Sequence, residues 1–354
     1  MFNNDSHHLR RLDDAGYSPH VVKHLSRARA QTTNEIYNSK WKLFEAFAKN
    51  KFDPLRATPA QLAEFLTHLF ENRGIAPTTI KGYRAAVGHV LRLSSGYDPG
   101  EDDIIRILMK SFDRQRPSCK SRVPSWDISL VLDQWSRVDD AGIPLSLLQT
   151  KTIFLLALAT GARRGELWAL TSNVRLTGNN PNTLVIPLDK SFTFKTQFTT
   201  KNKKFKNYIE IPMIPNEKLT SLCPVTVLLT FLERSQQFRQ ANQTSLFLPL
   251  REGAASTSKQ LISANVVKAV TWAYREADAA MPRAVRAHDV RGMATSLSLY
   301  AGNSLEDVLE AGRWSNPHTF FKYYQKSFET LSLQRLGSFS HVACAGKIIE
   351  TGRF

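Results

Sequence analysis

Large apolar side chains recur at three- and four-residue intervals through the first third of this chain. Tyr37, Trp41, Phe44 and Phe47 fall on one face of a helix beginning near Thr32. A second helix is signalled by Thr58-Pro59, because a threonine caps a helix start and the missing proline N–H costs nothing in the first turn. That helix carries Leu62, Phe65, Leu66, Leu69 and Phe70; a third opens at Pro77 with Ile80, Tyr83, Val87, Val90 and Leu91, and a fourth covers about 102–113. The pattern predicts a small all-helical domain over 31–113, preceded by a flexible extension over 1–30.

Residues 114–124 are polar, basic and interrupted by two prolines, which predicts an interdomain linker. Helical periodicity returns at 126–138 and 145–159. Short alternating or β-branched runs at 183–187, 192–199 and 208–212 predict strands, and helices follow at 224–238, 263–279, 288–301, 305–310 and 317–327. The expected fold is mainly α with a small antiparallel β-sheet, the second domain covering 125–330 and a tail covering 331–354.

Composition narrows the partners. A chain of 354 residues can bury two cores, and 47 Lys+Arg against 31 Asp+Glu gives a net charge of +16, which favours a polyanion through counterion release. Charge alone fits a ribosome-associated or membrane-surface protein as well. Cys119, Cys223 and Cys344 lie far apart without metal-ligand spacing, so reduced thiols and no metal or cofactor are expected. The first ten residues lack the apolar core of a secretory signal, and the longest apolar run, 153–159, is too short for a membrane span. An intracellular protein is expected, located with its polyanion.

The chemistry-bearing residues come in a distinctive order. Thr160-Gly161-Ala162-Arg163-Arg164-Gly165-Glu166-Leu167 is followed by a lysine-rich stretch over 190–206, then His288-Asp289-Val290-Arg291, Trp314, and Tyr323-Tyr324. Singly these are unremarkable, since Arg-x-x-Glu is commonly a one-turn salt bridge and His-x-x-Arg occurs by chance. As a set they resemble the tyrosine recombinase (lambda-integrase-like) family. The resemblance spans about 32–326 and implies a two-domain architecture, with a helical core-binding domain and a mixed α/β catalytic domain joined so that a clamp closes on DNA. It also implies cleavage and rejoining of DNA strands through a covalent 3′-phosphotyrosine.

Each residue type suits that reaction. Arginine stays protonated and presents a planar fork to phosphoryl oxygens, so Arg163 and Arg291 are the expected clamps, with Glu166 steering Arg163 and Arg164 facing elsewhere. His288 can orient phosphate or move a proton, and the Trp314 indole can donate a hydrogen bond. The family places a general-acid lysine on a β-hairpin. Lys195 is the expected one, its strand alternation pointing it inward, with Lys201, Lys203 and Lys204 as alternatives. Many family members carry the nucleophile nine residues after the Trp/His position, which would select Tyr323. Trp-Ser-x-Pro-x-Thr-Phe with a following Tyr-Tyr is instead similar to the DIRS and Ngaro retrotransposon-type subset, which selects Tyr324, although Gln325-Lys326 departs from that subset's pattern. The implied partner is double-stranded DNA at recombination sites, bound by a homo-tetramer that exchanges C-terminal tails. A type IB topoisomerase-like nicking-closing enzyme and a catalytically inactive DNA-binding relative are the alternatives.

Overall fold

The computed structural model describes residues 16–26, 30–118, 123–178, 182–195, 206–214, 217–241, 243–249 and 257–327. The chain divides into two compact units, Met1–Lys120 and Ser121–Phe354. Among the described residues no helix is long and apolar enough to cross a membrane. Cys223 is a buried free thiol, whereas Cys119 and Cys344 fall outside the described residues.

In the first unit, α1 (Pro19–Ser26), α2 (Gln31–Ala48), α3 (Pro59–Glu71), α4 (Pro77–Ser95) and α5 (Asp103–Gln115) follow in order. α1 differs from the flexible extension expected there: Pro19 opens a helical turn and Val22 is buried. The caps explain where the helices begin. Thr58 accepts from the Gln61 N–H while the Gln61 side chain accepts from the Thr58 N–H, and Asp102 accepts from the Ile104 N–H. Apolar faces then meet in one core, where Phe44 meets Phe65 edge-on and Phe70 stacks on Phe112 with centroids 4.2 Å apart. The Arg116 guanidinium lies 3.7 Å from the Phe70 ring centroid.

The second unit is organised around a helix with no polar face. After α6 (Ile128–Ser136), α7 (Leu145–Thr160) is buried continuously from Leu148 to Ala159, with α9 (Pro224–Ser235), α10 (Lys259–Glu276) and α11 (Ala287–Tyr300) packed against it. Even Lys151 is buried there, paired with Asp140 at 2.7 Å. α7 ends at Gly161, whose φ of 55° places it in the left-handed region that lets a glycine stop the helix. The five-residue α8 (Arg164–Trp168) follows directly.

A three-stranded antiparallel sheet, β1 (Arg175–Thr177), β2 (Thr183–Pro187) and β3 (Tyr208–Pro212), is paired in the order β1-β2-β3, with Val185 opposite both Arg175 and Glu210. Leu184, Ile186, Ile209 and Ile211 are buried in the core. The strand expected over 192–199 does not form at 192–195, where the chain turns, and 196–199 lie outside the described residues. The β2–β3 connection therefore leaves the sheet before Phe192. α10 starts at Lys259 rather than near 263, because Ser258 caps it by accepting from the Leu261 N–H. The last described helices are α12 (Leu305–Ala311) and α13 (Pro317–Tyr323). α13 stops short of the expected 327, since the Phe320 carbonyl accepts from both the Tyr324 and Gln325 N–H groups and closes the helix.

Candidate active site

The turn between α7 and α8 sets the first arginine. Gly161 redirects the chain so that Arg163 becomes the residue before α8, with its N–H donating to Glu166 Oε2 at 2.9 Å and its Nη1 to Oε1 at 3.0 Å. Glu166 is 1% exposed, and its Oε2 also accepts from Arg313 Nη1 at 2.9 Å. Two guanidiniums thus share one buried carboxylate and the cluster keeps a positive charge. Arg163 Nη2 donates to the Arg313 carbonyl at 3.4 Å, which closes the loop between the two arginines. Arg164 is exposed and turned to Ser263.

α11 supplies His288 and Arg291, three residues apart and so on one helical face. Arg291 is 3% exposed, donating to the Gly161 and Gly312 carbonyls, and its buried Nε has no hydrogen-bond partner among the described residues. Burial, and then the charge of Arg163, push its guanidinium down to about 10. His288 keeps an exposed edge, yet the protein packed around its ring, and then Arg291, hold its imidazole below the usual range.

The α12–α13 connection brings in the aromatic pair. A Cβ at Gly312 would collide with the Trp314 indole, so only glycine lets that ring fold back. Trp314 is 4% exposed, its buried Nε1 has no partner among the described residues, and its ring lies 4.3 Å from the Arg291 guanidinium. Tyr324 ends α13 with its ring centroid 4.6 Å from that of Trp314, 5.0 Å from that of His288 and 5.3 Å from the Arg291 guanidinium. Tyr323 is instead half-exposed, beside Lys322. Of the residues singled out in the sequence, His288, Arg291, Trp314 and Tyr324 come together, with the Arg163 charge acting on Arg291.

Lys195 does not point inward as its strand alternation suggested. It is exposed on a turn, and the preceding Phe194 is the buried residue, packed under the Arg313 guanidinium at 4.9 Å. Without a strand at 192–195 the alternation argument has no backbone to act on. Lys201, Lys203 and Lys204 fall outside the described residues. Arg313 is a site residue that the sequence pattern does not single out. Its position beside Trp314 was the available signal, but its φ of 49° and its pairing with Glu166 become visible only in three dimensions.

No family model matches this chain, and no curated protein matches it. Solved structures do. The chain is similar to XerH site-specific recombinase bound to palindromic difH substrate (post-cleavage complex) at 17% identity and TM-score 0.57, over 91% of this chain and 83% of that one. It is similar to the Tn1549 transposon integrase in complex with circular intermediate DNA at 15% identity and TM-score 0.55, over 94% and 97% of the two chains. The fold is that of the tyrosine recombinases. A lambda integrase dimer bound to a COC′ core site gives the same likeness at 15% identity and TM-score 0.51, over 86% of this chain and 95% of that one. The tyrosine recombinase fold accounts for the mainly helical chain with its small antiparallel sheet, as the hydrophobic pattern indicates. At this level of identity the roles of the side chains rest on their own geometry and chemistry.

Proposed function

We propose that this protein is a site-specific DNA recombinase or integrase that cuts and rejoins strands through Tyr324. The observation that carries the reading is that His288, Trp314 and Arg291 each lie within 5.3 Å of the Tyr324 ring, with the Arg163 charge acting on Arg291. Arg163 and Arg291 bind the non-bridging oxygens of the scissile phosphate, where charge grows in the transition state. Among the described residues Trp314 Nε1 and Arg291 Nε are buried donors without partners, which is the chemistry a phosphate would satisfy. The DNA-bound neighbours of the same fold support a DNA substrate.

In the proposed step, the Tyr324 phenolic oxygen attacks phosphorus as His288 accepts its proton. A tyrosine–phosphorus bond forms and the bond from phosphorus to the 5′ oxygen breaks, with Lys195 or a neighbouring lysine on the β2–β3 connection protonating the leaving oxygen. Rejoining is the same exchange run with a new 5′-hydroxyl. One phosphoester replaces another at each step, so the reaction needs neither ATP nor a metal to conserve the bond. The Trp314 to Tyr324 spacing supports placement near the DIRS and Ngaro retrotransposon-type recombinases. Assembly as a homo-tetramer on two DNA sites, with exchange of the tail over 331–354, completes the reading; that tail lies outside the described residues.

A DNA duplex nicked next to the scissile phosphate tests it. Loss of the short 5′-hydroxyl fragment traps the intermediate, so the protein is expected to form an adduct that survives detergent and carries a 3′-phosphate. DNA binding without any adduct would refute the reading.

A further inference from the structure

The segment that follows Tyr324 is fastened to α11 at three points spaced along one helical face. The Tyr324 carbonyl lies against Gly292, where a Cβ would approach it to 2.7 Å. The Lys326 N–H donates to Ser296 Oγ at 2.8 Å, and Lys326 Nζ pairs with Asp289 Oδ1 at 3.0 Å. Residues 289, 292 and 296 fall on one stripe of an α-helix, and 288 and 291 flank it. The pair is shielded, with side-chain exposures of 13% for Lys326 and 18% for Asp289, so water weakens it less than it weakens a surface ion pair. Asp289 also sits in the first turn of α11, where the helix itself favours a negative charge and the carboxylate is ready for a cation.

We propose that Asp289 and Lys326 are positioning residues that seat Tyr324, so that each chain presents its own tyrosine to its own His288 and Arg291. Neither touches the reacting atoms. Asp289 stands between the two catalytic candidates of α11, while Lys326 lies two residues beyond the nucleophile, so their ion pair fixes the distance between helix and tyrosine. Gly292 is what lets the backbone come close enough for the pair to form. This inference rests on the reading of Tyr324 as the nucleophile, but the seat itself can be measured without DNA.

The full-length protein is compared with Asp289→Asn, Lys326→Met, the double variant, Lys326→Arg and Gly292→Ala. Hydrogen exchange of the free protein should speed up across 321–327 in both single variants and in Gly292→Ala. The double variant should exchange no faster than the singles, because one contact is lost once. Lys326→Arg should restore protection. Single-turnover cleavage at saturating nicked DNA should fall on the order of tenfold in each single variant, within the coupling range of contacting residues, with DNA affinity unchanged. If the two residues merely tuned the charge of His288, the singles would move its pH profile in opposite directions and exchange would stay put; that result, or an additive double variant, overturns the seat. Wild-type protein that shows the predicted exchange but forms no adduct would refute the recombinase reading and leave the seat standing.

Discussion

The Arg163 guanidinium and backbone N–H both end on the Glu166 carboxylate, at 3.0 and 2.9 Å. Because the same carboxylate holds Arg313, it is the counter-charge that lets two arginines stand together beside a third, Arg291. Removing one partner of a buried pair leaves an uncompensated charge. Glu166→Ala should therefore lower unfolding stability by about 3 kcal/mol in urea titrations, and cleavage should fall with it because Arg163 loses its orientation. A stability loss within experimental error would mean that the carboxylate is not holding these arginines.

The two arginines proposed to contact phosphate should behave as transition-state residues. Arg163→Ala and Arg291→Lys are expected to slow cleavage on the order of 10²- to 10³-fold, by analogy with loss of an oxyanion donor, while equilibrium binding to the same duplex changes little. The lysine variant is chosen at 291 because the Gly161 and Gly312 carbonyls need a buried donor. Normal cleavage by either variant, read in single-turnover assays, would remove that residue from the site.

His288 supplies a pH signature. Its imidazole is held below the ordinary value, first by burial and then by Arg291, so the unfolded chain binds the proton more readily than the folded one. The folded state then gains stability as pH rises, and that contribution is fully present above the ordinary histidine pKa and lost as pH falls through the lowered one. Cleavage should decline over the same acidic window, because the protonated ring cannot take the Tyr324 proton. His288→Gln should flatten both profiles; if it leaves the acid limb of cleavage intact, another group accepts the proton.

A bridging-sulfur substrate identifies the general acid. Sulfur in place of the 5′ oxygen leaves without a proton, so a variant lacking the acid recovers its rate on that substrate, whereas loss of a simple phosphate contact does not. Lys195→Ala is expected to be slow on normal DNA and restored on the phosphorothioate. Restoration in Lys201→Ala, Lys203→Ala or Lys204→Ala would move the role to that residue.

How much of this was legible in the sequence depends on the range of the interaction. Thr58-Pro59, the apolar faces of α2 and α3 and the β-branched runs of β2 and β3 are local signals, and the elements stand where those signals place them. β1 is three residues with an exposed pattern, too short to alternate visibly, and exists because β2 pairs with it. Phe192 and Phe194 imitate strand alternation, but Phe194 is buried under Arg313, a contact between residues far apart in the chain. Arg163, His288, Arg291 and Trp314 could be singled out as a set in order. Arg313, Asp289 and Lys326 could not, since their partners are set by tertiary packing rather than spacing.

The two adjacent tyrosines differ in their surroundings. Tyr324 lies against Trp314 and His288, whereas Tyr323 is half-exposed. Peptide mapping of the trapped DNA adduct by mass spectrometry decides between them, with Tyr323→Phe and Tyr324→Phe as paired controls. The phosphodiester remnant is expected on Tyr324, with full trapping by Tyr323→Phe and binding without trapping by Tyr324→Phe. A remnant on Tyr323, or trapping that survives Tyr324→Phe, would contradict it.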